Sequence, residues 1–182
     1  MKNGLLFALM LSLTFSVFAN GEKETADIEK GTVDCEKKTV DMDVDSVTTA
    51  SLVNDGNALV KALRSDGTWM VALLNDVSVK GDILVEGEFE GKPYRKIALY
   101  TQDENRNVTN RFNLTADKLI VRSVHTRIQN GTFIGDVFVD TMDFELVDAK
   151  VMGNVYFKTD EQMKSFLKDE TSEVTGTTEL EK

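Results

Sequence analysis

The stretch Phe133-Ile-Gly-Asp-Val-Phe-Val139 indicates the fold of this chain, and it recurs in altered form as Val151-Met-Gly-Asn-Val-Tyr-Phe157. In both stretches a glycine precedes an Asp or Asn, and apolar residues then follow at alternate positions. Gly135 and Gly153 occupy the same place in the two copies. Alternation with a period of two is typical of a strand that buries one side, and a glycine before it permits a bend or a close backbone approach. The pair therefore predicts similar strands that stack on one another.

Further copies of the pattern lie on both sides of this pair. Val79–Val85 contains Gly81 at the equivalent position, and Val174–Leu180 is a degenerate last copy. Two more copies keep the strand but lack the glycine, Arg95–Leu99 and Thr115–Val121. The position equivalent to Gly81 falls at 95, 117, 135 and 153 in the following copies. The first two steps between these positions are unequal, and the last two are equal. Repeated units that cannot bury an apolar face alone stack and share one core.

These repeats predict an all-β fold, a short right-handed β-helix (β-solenoid) with short capping helices. Residues 72–158 would form about five coils at a period near 18. The alternative is an antiparallel sandwich with hairpins of similar length, which needs more two-residue turn signals than the chain contains. In the β-helix the following side chains are expected to point inward and to be buried: Val137, Val139, Leu146, Val155 and Phe157.

Two short helices are predicted at the ends of the repeats. Residues 57–65 place Leu59 and Leu63 at helical spacing and are followed by a Ser-Asp-Gly stop signal. Thr159-Asp-Glu-Gln162 is a capping-box pattern that starts a second helix within 159–168. Each helix would cover one end of the β-helix, where backbone and apolar surface are otherwise exposed. The β-helical domain is therefore expected to span residues 51–180.

The segment 1–19 has the pattern of a secretory signal peptide. Lys2 is followed by the apolar run Leu5–Leu11, and Val17 and Ala19 occupy the minus-three and minus-one positions of a cleavage site. The run is too short for a permanent membrane span, so none is expected after cleavage. We therefore predict an exported protein of the periplasm, the cell surface or the medium, in which residues 20–50 form a flexible acidic segment.

Composition excludes some classes of function. The chain contains 31 acidic and 21 basic residues, and a strongly acidic exported protein is repelled by nucleic acid. Cys35 is the sole cysteine, so it forms no internal disulfide; it is either a free thiol or an intermolecular bridge.

No catalytic or cofactor signature is present. His125 is the sole histidine, and the chain contains no Gly-x-Ser-x-Gly elbow that would present a nucleophile. One histidine and one cysteine do not make a usual zinc site. Asp41, Asp43 and Asp45 alternate, but the glycine and glutamate of an EF-hand loop are missing, so an edge strand is favoured over calcium binding. We therefore predict no catalytic residue, no metal and no cofactor.

One region reverses the acidic character of the chain. Between positions 92 and 127 there are eight basic and three acidic residues. This region can bind an anionic glycan, a phosphate-bearing surface or the acidic segment of a neighbour; alternatively, its charges only neutralise the protein's own acidic tails. If it binds a ligand, Arg95, Arg122 and Arg127 are the candidate binding residues. We call the eight cations the basic belt: Lys92, Arg95, Lys96, Arg106, Arg111, Lys118, Arg122 and Arg127.

The glycine-containing copies at Gly81, Gly135 and Gly153 resemble those of bactofilin-type polymer-forming proteins. The resemblance covers residues 72–158 and rests on a repeat pattern rather than on a catalytic motif. It implies a short right-handed β-helix that associates end to end into a non-enzymatic scaffold. The export signal and the two helices depart from that family, and covered ends would favour a monomer or small oligomer over a filament. No functional residue carries over.

The sequence as a whole predicts an exported, non-enzymatic structural or interaction protein of the bacterial cell envelope, whose partner is an envelope protein or another copy of itself. The alternative is a carbohydrate-binding module that holds an anionic glycan with the basic belt. A small glycan-active enzyme is the third hypothesis.

Overall fold

Strands make up most of the chain that the structure describes, residues 50–89, 92 and 94–182. The computed structural model contains two helices there, α1 (Gly56–Ala62) and α2 (Asp160–Lys164). The predicted signal peptide and Cys35 lie outside the described residues, and so does the acidic segment except for its last residue, Ala50. The strands in chain order are β1 (Ala50–Val53), β2 (Met70–Leu73), β3 (Val77–Ser78), β4 (Asp82–Val85), β5 (Arg95–Ala98), β6 (Tyr100–Gln102), β7 (Val108–Arg111), β8 (Asn113–Val121), β9 (Thr126–Val139), β10 (Glu145–Met152), β11 (Val155–Phe157), β12 (Leu167–Lys168), β13 (Glu173–Val174) and β14 (Thr178–Leu180).

Twelve of these strands form one curled sheet. Its main order is β1-β2-β5-β9-β10-β12, and the remaining members join beside this path. Every pairing within it is parallel. Strands β6 and β7 form a separate antiparallel hairpin. The central strand is β9, which pairs with β5, β8, β10 and β11.

Strand β9 bends within its length instead of ending at a turn. Asn130 and Gly135 have φ angles of 56° and 140°, outside the range of regular strands. Before the first bend β9 pairs with β5, and after it β9 pairs with β8. One strand therefore carries the sheet around the core.

The predicted β-helix of about five coils is wrong, because the strands belong to one curled sheet of twelve. Residues of β9 and their partners on β10 and β11 are as far apart in the sequence as Gly135 and Gly153 are. Partners on β8 and β9 have nearly the same separation. Elsewhere the offset follows the lengths of the intervening loops. Along the main path of the sheet, the sequence separation between paired residues is uneven. The pairs are Ala50 with Met70, Met70 with Lys96, Lys96 with Arg127, Arg127 with Glu145, and Glu145 with Leu167.

The copy at Arg95–Leu99 shows why the prediction of a constant repeat period is wrong. It does form a strand, β5, but β5 lies between β2 and β9 rather than between β4 and β8. Strand β4 pairs directly with β8, where Asp82 lies opposite Lys118. The equal spacing of the glycines therefore describes the centre of the sheet and not a series of coils. An antiparallel sandwich is also excluded for the described strands, since the large sheet is parallel.

Both helices form close to their predicted positions, and α1 contacts β1 while α2 contacts β11 and β14. The Asp55 side chain caps α1 by accepting hydrogen bonds from the backbone N–H groups of Asn57 and Ala58. The capping box of Thr159 and Gln162 is present at α2. Helix α2 is shorter than predicted, because strand β12 already begins at Leu167.

Apolar side chains from the concave side of the sheet form one core. All five residues predicted to point inward are buried, each with at most 2% of its surface exposed. Leu59 and Leu63 at α1 add to this core, and near α2 the ring of Phe166 packs on Phe144 and Phe157. The inward register of the repeats is therefore confirmed.

The glycines of the repeat stack directly on one another. A side chain on Gly153 would collide with the backbone carbonyl of Gly135, and one on Gly176 would collide with that of Gly153. The polar residue after each glycine joins neighbouring strands: Asp136 Oδ1 accepts from the Asn154 backbone N–H at 2.8 Å. Asn154 Oδ1 in turn accepts from the next backbone N–H, that of Thr177, at 2.9 Å. The Gly-Asp and Gly-Asn pairs of the repeat thus form a continuous hydrogen-bonded column.

We expect Phe157→Ala to lower the free energy of unfolding by about 3–5 kcal/mol, because it leaves a cavity in a fully buried site. Met152→Ala on the exposed side of β10 is the matched control and should cost less than about 1 kcal/mol. Urea denaturation measures both. Equal losses in the two variants would contradict the inward register.

We expect Gly153→Ala to cost about 3 kcal/mol, because its methyl group meets a backbone carbonyl that cannot move aside. Gly81→Ala is the comparison, since its added methyl meets no atom within 4 Å and only its positive φ opposes the change. That strain costs about 1–2 kcal/mol. The glycine column is not required if thermal or urea melts rank the two variants in the opposite order.

Candidate functional site

The basic belt does not form one surface. One of its members, Arg95, is buried, and another, Arg111, forms an ion pair with Asp148. Lys118 and Arg122 line a cleft beside the second half of β9. The remaining four cations lie along the outer side of β5, the first part of β9 and the adjoining loops: Lys92, Lys96, Arg106 and Arg127.

Arg95, a candidate binding residue from the sequence, is buried rather than part of an exposed surface. Only 2% of the residue is exposed. Its Nη2 atom donates to the carbonyl oxygens of Ala62 at 2.9 Å and Arg64 at 3.0 Å, and Nη1 donates to that of Glu86. The guanidinium therefore ties the end of α1 to the loop after β4. Burial lowers the pKa of Arg95 to about 10, because the charged form has lost much of its water.

Arg127 is on the outer face, but its charge is already countered. It lies in register between Lys96 on β5 and Glu145 on β10. Its Nε donates to Glu145 Oε2 at 2.6 Å, and its Cζ lies 4.1 Å from the centroid of the Tyr94 ring. A carboxylate and an aromatic ring therefore fix the position of the Arg127 guanidinium, and its charge is not free for a ligand.

Arg122 lines a different cleft of about 250 Å³. Two carboxylates, Asp140 and Glu181, share this cleft with it. Lys158 Nζ donates to Asp140 Oδ2 at 2.9 Å, and this hydrogen bond lowers the pKa of the Asp140 carboxyl. The structure therefore does not bring Arg95, Arg122 and Arg127 together into one site.

The best-formed group of uncompensated cations lies beside the β6–β7 hairpin. Lys96 Nζ donates to the Tyr100 hydroxyl oxygen at 2.8 Å and lies 5.0 Å from the ring centroid. Both residues line a cleft of about 440 Å³, and no carboxylate is among its lining residues. We call it the Lys96 cleft, lined by Lys96, Tyr100, Gln102, Arg106, Val108, Gln129 and Asn130.

The tip of the hairpin holds Arg106 next to this cleft. Arg106 has a positive φ of 67° and donates its backbone N–H to the Asp103 carbonyl oxygen at 3.0 Å. The Asp103 carboxylate faces its own loop, where it accepts from the backbone of Asn105 and from the backbone and side chain of Asn107. The hydrogen bonds from Asn107 lower the pKa of the Asp103 carboxyl. The Asp103 carboxylate is thus committed to its own loop.

Sequence reasoning missed the uncharged half of this cleft. Tyr100, Gln102 and Gln129 are ordinary strand residues, and only the register between β5 and β9 reveals that Gln129 lies opposite Ala98. The available signal was the alternation of β9, which puts Arg127 and Gln129 on the same side of the strand.

His125 is not part of a nucleophilic triad in this structure. Its Nδ1 lies 3.4 Å from Asp143 Oδ2, with more than half of its side chain exposed. The nearby Ser123 is buried, and its hydroxyl donates to the Gly87 carbonyl oxygen at 2.5 Å.

Within residues 50–89, 92 and 94–182, no three His, Cys, Asp or Glu side chains are grouped so that they could hold a metal ion. No helix in the same residues has both the length and the apolar composition needed to cross a membrane.

Comparisons of the chain with protein-family models, with curated proteins and with solved structures found no match. The resemblance to bactofilin-type proteins therefore stays a prediction that rests on the repeat alone.

Proposed function

We propose that the protein is an exported, non-catalytic binding module of the bacterial cell envelope, and that it holds an anionic glycan in the Lys96 cleft. The observation that carries this proposal is a cleft that contains two cations, a tyrosine and three side-chain amides and is free of carboxylates. Such a set suits a ligand that is both acidic and rich in hydroxyl groups.

Several parts of the cleft have a counterpart in an acidic sugar. Lys96 and Arg106 supply the charge that a uronate carboxylate needs, and a charge-assisted hydrogen bond is about twice as strong as a neutral one. Gln102 and Gln129 carry amides that both donate and accept, as sugar hydroxyls do, whereas Asn130 is buried. Tyr100 is buried as well, and its hydroxyl and ring hold the Lys96 ammonium in place in the cleft.

The acidic character of the whole chain favours a ligand recognised at short range. Its net charge of −10 repels anions at a distance, while the Lys96 cleft attracts them only within about a Debye length, roughly 8 Å at physiological salt. Binding should therefore depend on hydrogen bonds made inside the cleft and be weakened by added salt.

A second candidate function is that of an interaction protein which binds an envelope protein through β1. In the described part of the chain, β1 pairs only with β2, so its other edge is open. Leu52 on this strand is 68% exposed. An open edge can accept an extended segment of another chain by adding a strand.

The glycan proposal is tested by calorimetric titration of the full chain with an oligogalacturonate, with a neutral galactan oligomer as the matched ligand. We expect binding of the acidic oligomer alone, weakened in 0.5 M salt (on the order of three times the physiological ionic strength). Lys96→Gln and Arg106→Gln should each weaken it about tenfold, since each removes a hydrogen bond to a charged group.

Lys164→Gln in the last turn of α2 is the control, because it removes the same charge away from the cleft. It should leave the dissociation constant within about twofold of wild type, as expected for a distant surface charge. Equal binding of both oligomers, or equal losses in all three variants, would reject the Lys96 cleft as the site and favour the β1 edge.

A further inference from the structure

A second cleft, with Arg95 among its lining residues, has features that the Lys96 cleft lacks. Its volume is about 500 Å³, and residues of the loop before β5 and of the turn before β9 line it. We call it the Arg95 cleft, and the residues used below are Phe89, Lys92, Tyr94, Arg95, Ser123 and His125.

No carboxylate is hydrogen-bonded to Arg95 in the described structure, although Glu86 is near enough to offset part of the effect of burial on the Arg95 pKa, and Glu88 lines the same cleft. The Nη atoms of Arg95 bond only to backbone carbonyl oxygens, which are neutral. The Phe89 ring centroid lies 4.5 Å from its Cζ, which adds a cation–π contact but no negative charge. A buried charge that lacks a hydrogen-bonded counter-ion is costly, and the lowered pKa of Arg95 reflects the same burial.

One donor of this arginine is also unsatisfied. Among the described residues, Arg95 Nε is the one buried side-chain nitrogen or oxygen without a hydrogen-bond partner. Buried polar atoms are almost always paired, so an orphan N–H of this kind marks a place where a ligand, ion or water belongs. In the described structure the same side chain thus lacks both a hydrogen-bonded carboxylate and an acceptor for its Nε–H.

The rim of the cleft is suited to the same kind of ligand. Lys92 Nζ lies 4.9 Å from the centroid of the Trp69 ring, and Trp69 meets the edge of Tyr94 with 6.3 Å between centroids. His125 also lines the cleft, and just over half of its side chain is exposed. Lys92 at the mouth and Arg95 at the floor, with aromatic rings between them, favour a small molecule in which an anionic group is attached to an apolar part.

We propose that the Arg95 cleft is a second binding site, which takes a single carboxylate group such as that of a free uronic acid. One carboxylate oxygen accepts the hydrogen bond from Arg95 Nε, and the carboxylate supplies a counter-charge that is hydrogen-bonded to the guanidinium, which neither Glu86 nor Glu88 does in the described structure. The half-buried Phe89 ring shifts to admit it, and Lys92 holds the second oxygen at the mouth. Three of the five N–H groups of Arg95 donate to carbonyl oxygens, which leaves Nε–H and one Nη1–H. The aromatic rings of the cleft favour a carboxylate attached to a sugar ring over a free phosphate.

This proposal is independent of the Lys96 cleft and has its own reporter. Trp69 is the sole tryptophan of the chain, and it contacts Lys92 at the mouth. Titration of the full chain with glucuronate should change its fluorescence in a saturable way, whereas glucose, the matched neutral sugar, should not. Inorganic phosphate at the same ionic strength should also have no saturable effect.

A measurement on the wild-type protein identifies the atom. The Nε–Hε resonance of Arg95, observed by nitrogen-15 NMR, should shift on addition of glucuronate with the same midpoint as the Trp69 signal. Lys92→Gln, a change at the surface, should raise that midpoint about tenfold, as expected for one lost charged contact. Lys164→Gln should leave it unchanged.

Arg95→Lys should abolish the fluorescence change, because lysine keeps a charge but has no Nε–H at this position. If that variant does not fold, the NMR shift in the wild-type chain decides alone. A glucuronate titration without any shift of the Arg95 Nε–Hε resonance would overturn the proposal, and so would an equal response to phosphate or glucose.

Discussion

The close stacking of Gly135, Gly153 and Gly176 is the constraint on which the rest of the sheet depends. Because no side chain separates these backbones, the residue after each glycine can bond to the next strand, as Asp136 does with Asn154. This column sets the register of β9, β10 and β11, and the register decides which side chains point inward. The fully buried Val137 and Phe157 follow from it.

The outer surface depends on a second close approach within the same strand. A side chain on Gly131 would overlap the backbone of Phe112 and the side chain of Leu99, so the base of the β6–β7 hairpin lies directly on β9. Asn130, with its positive φ, bends the strand at the adjacent position. The hairpin is thereby held beside the outward residues of β5 and β9, and the Lys96 cleft forms between them.

The local pattern of the sequence predicted the strands, the glycine column and the inward residues, but not the connectivity. Period-two alternation depends on neighbours along the chain, whereas the partner of β5 depends on the lengths of loops that carry no such pattern. The same alternation could have placed Arg95 correctly. It shares the inward parity of Ile97 and Leu99, yet because of its charge it was grouped with the other cations of the basic belt. The uncharged residues of the Lys96 cleft, such as Gln129, required the register itself.

Charge counted along the sequence identified the basic belt but not which of its cations are paired, and the reason is the position of the counter-charges. Arg127 is exposed in part but is paired with Glu145, and Arg122 shares its cleft with Asp140. Lys96 has only a neutral phenol as hydrogen-bond partner, and Arg95 has only carbonyl oxygens. Since an anionic ligand gains most from a cation that is not already hydrogen-bonded to a carboxylate, the proposed sites rest on Lys96 and Arg95 rather than on Arg127.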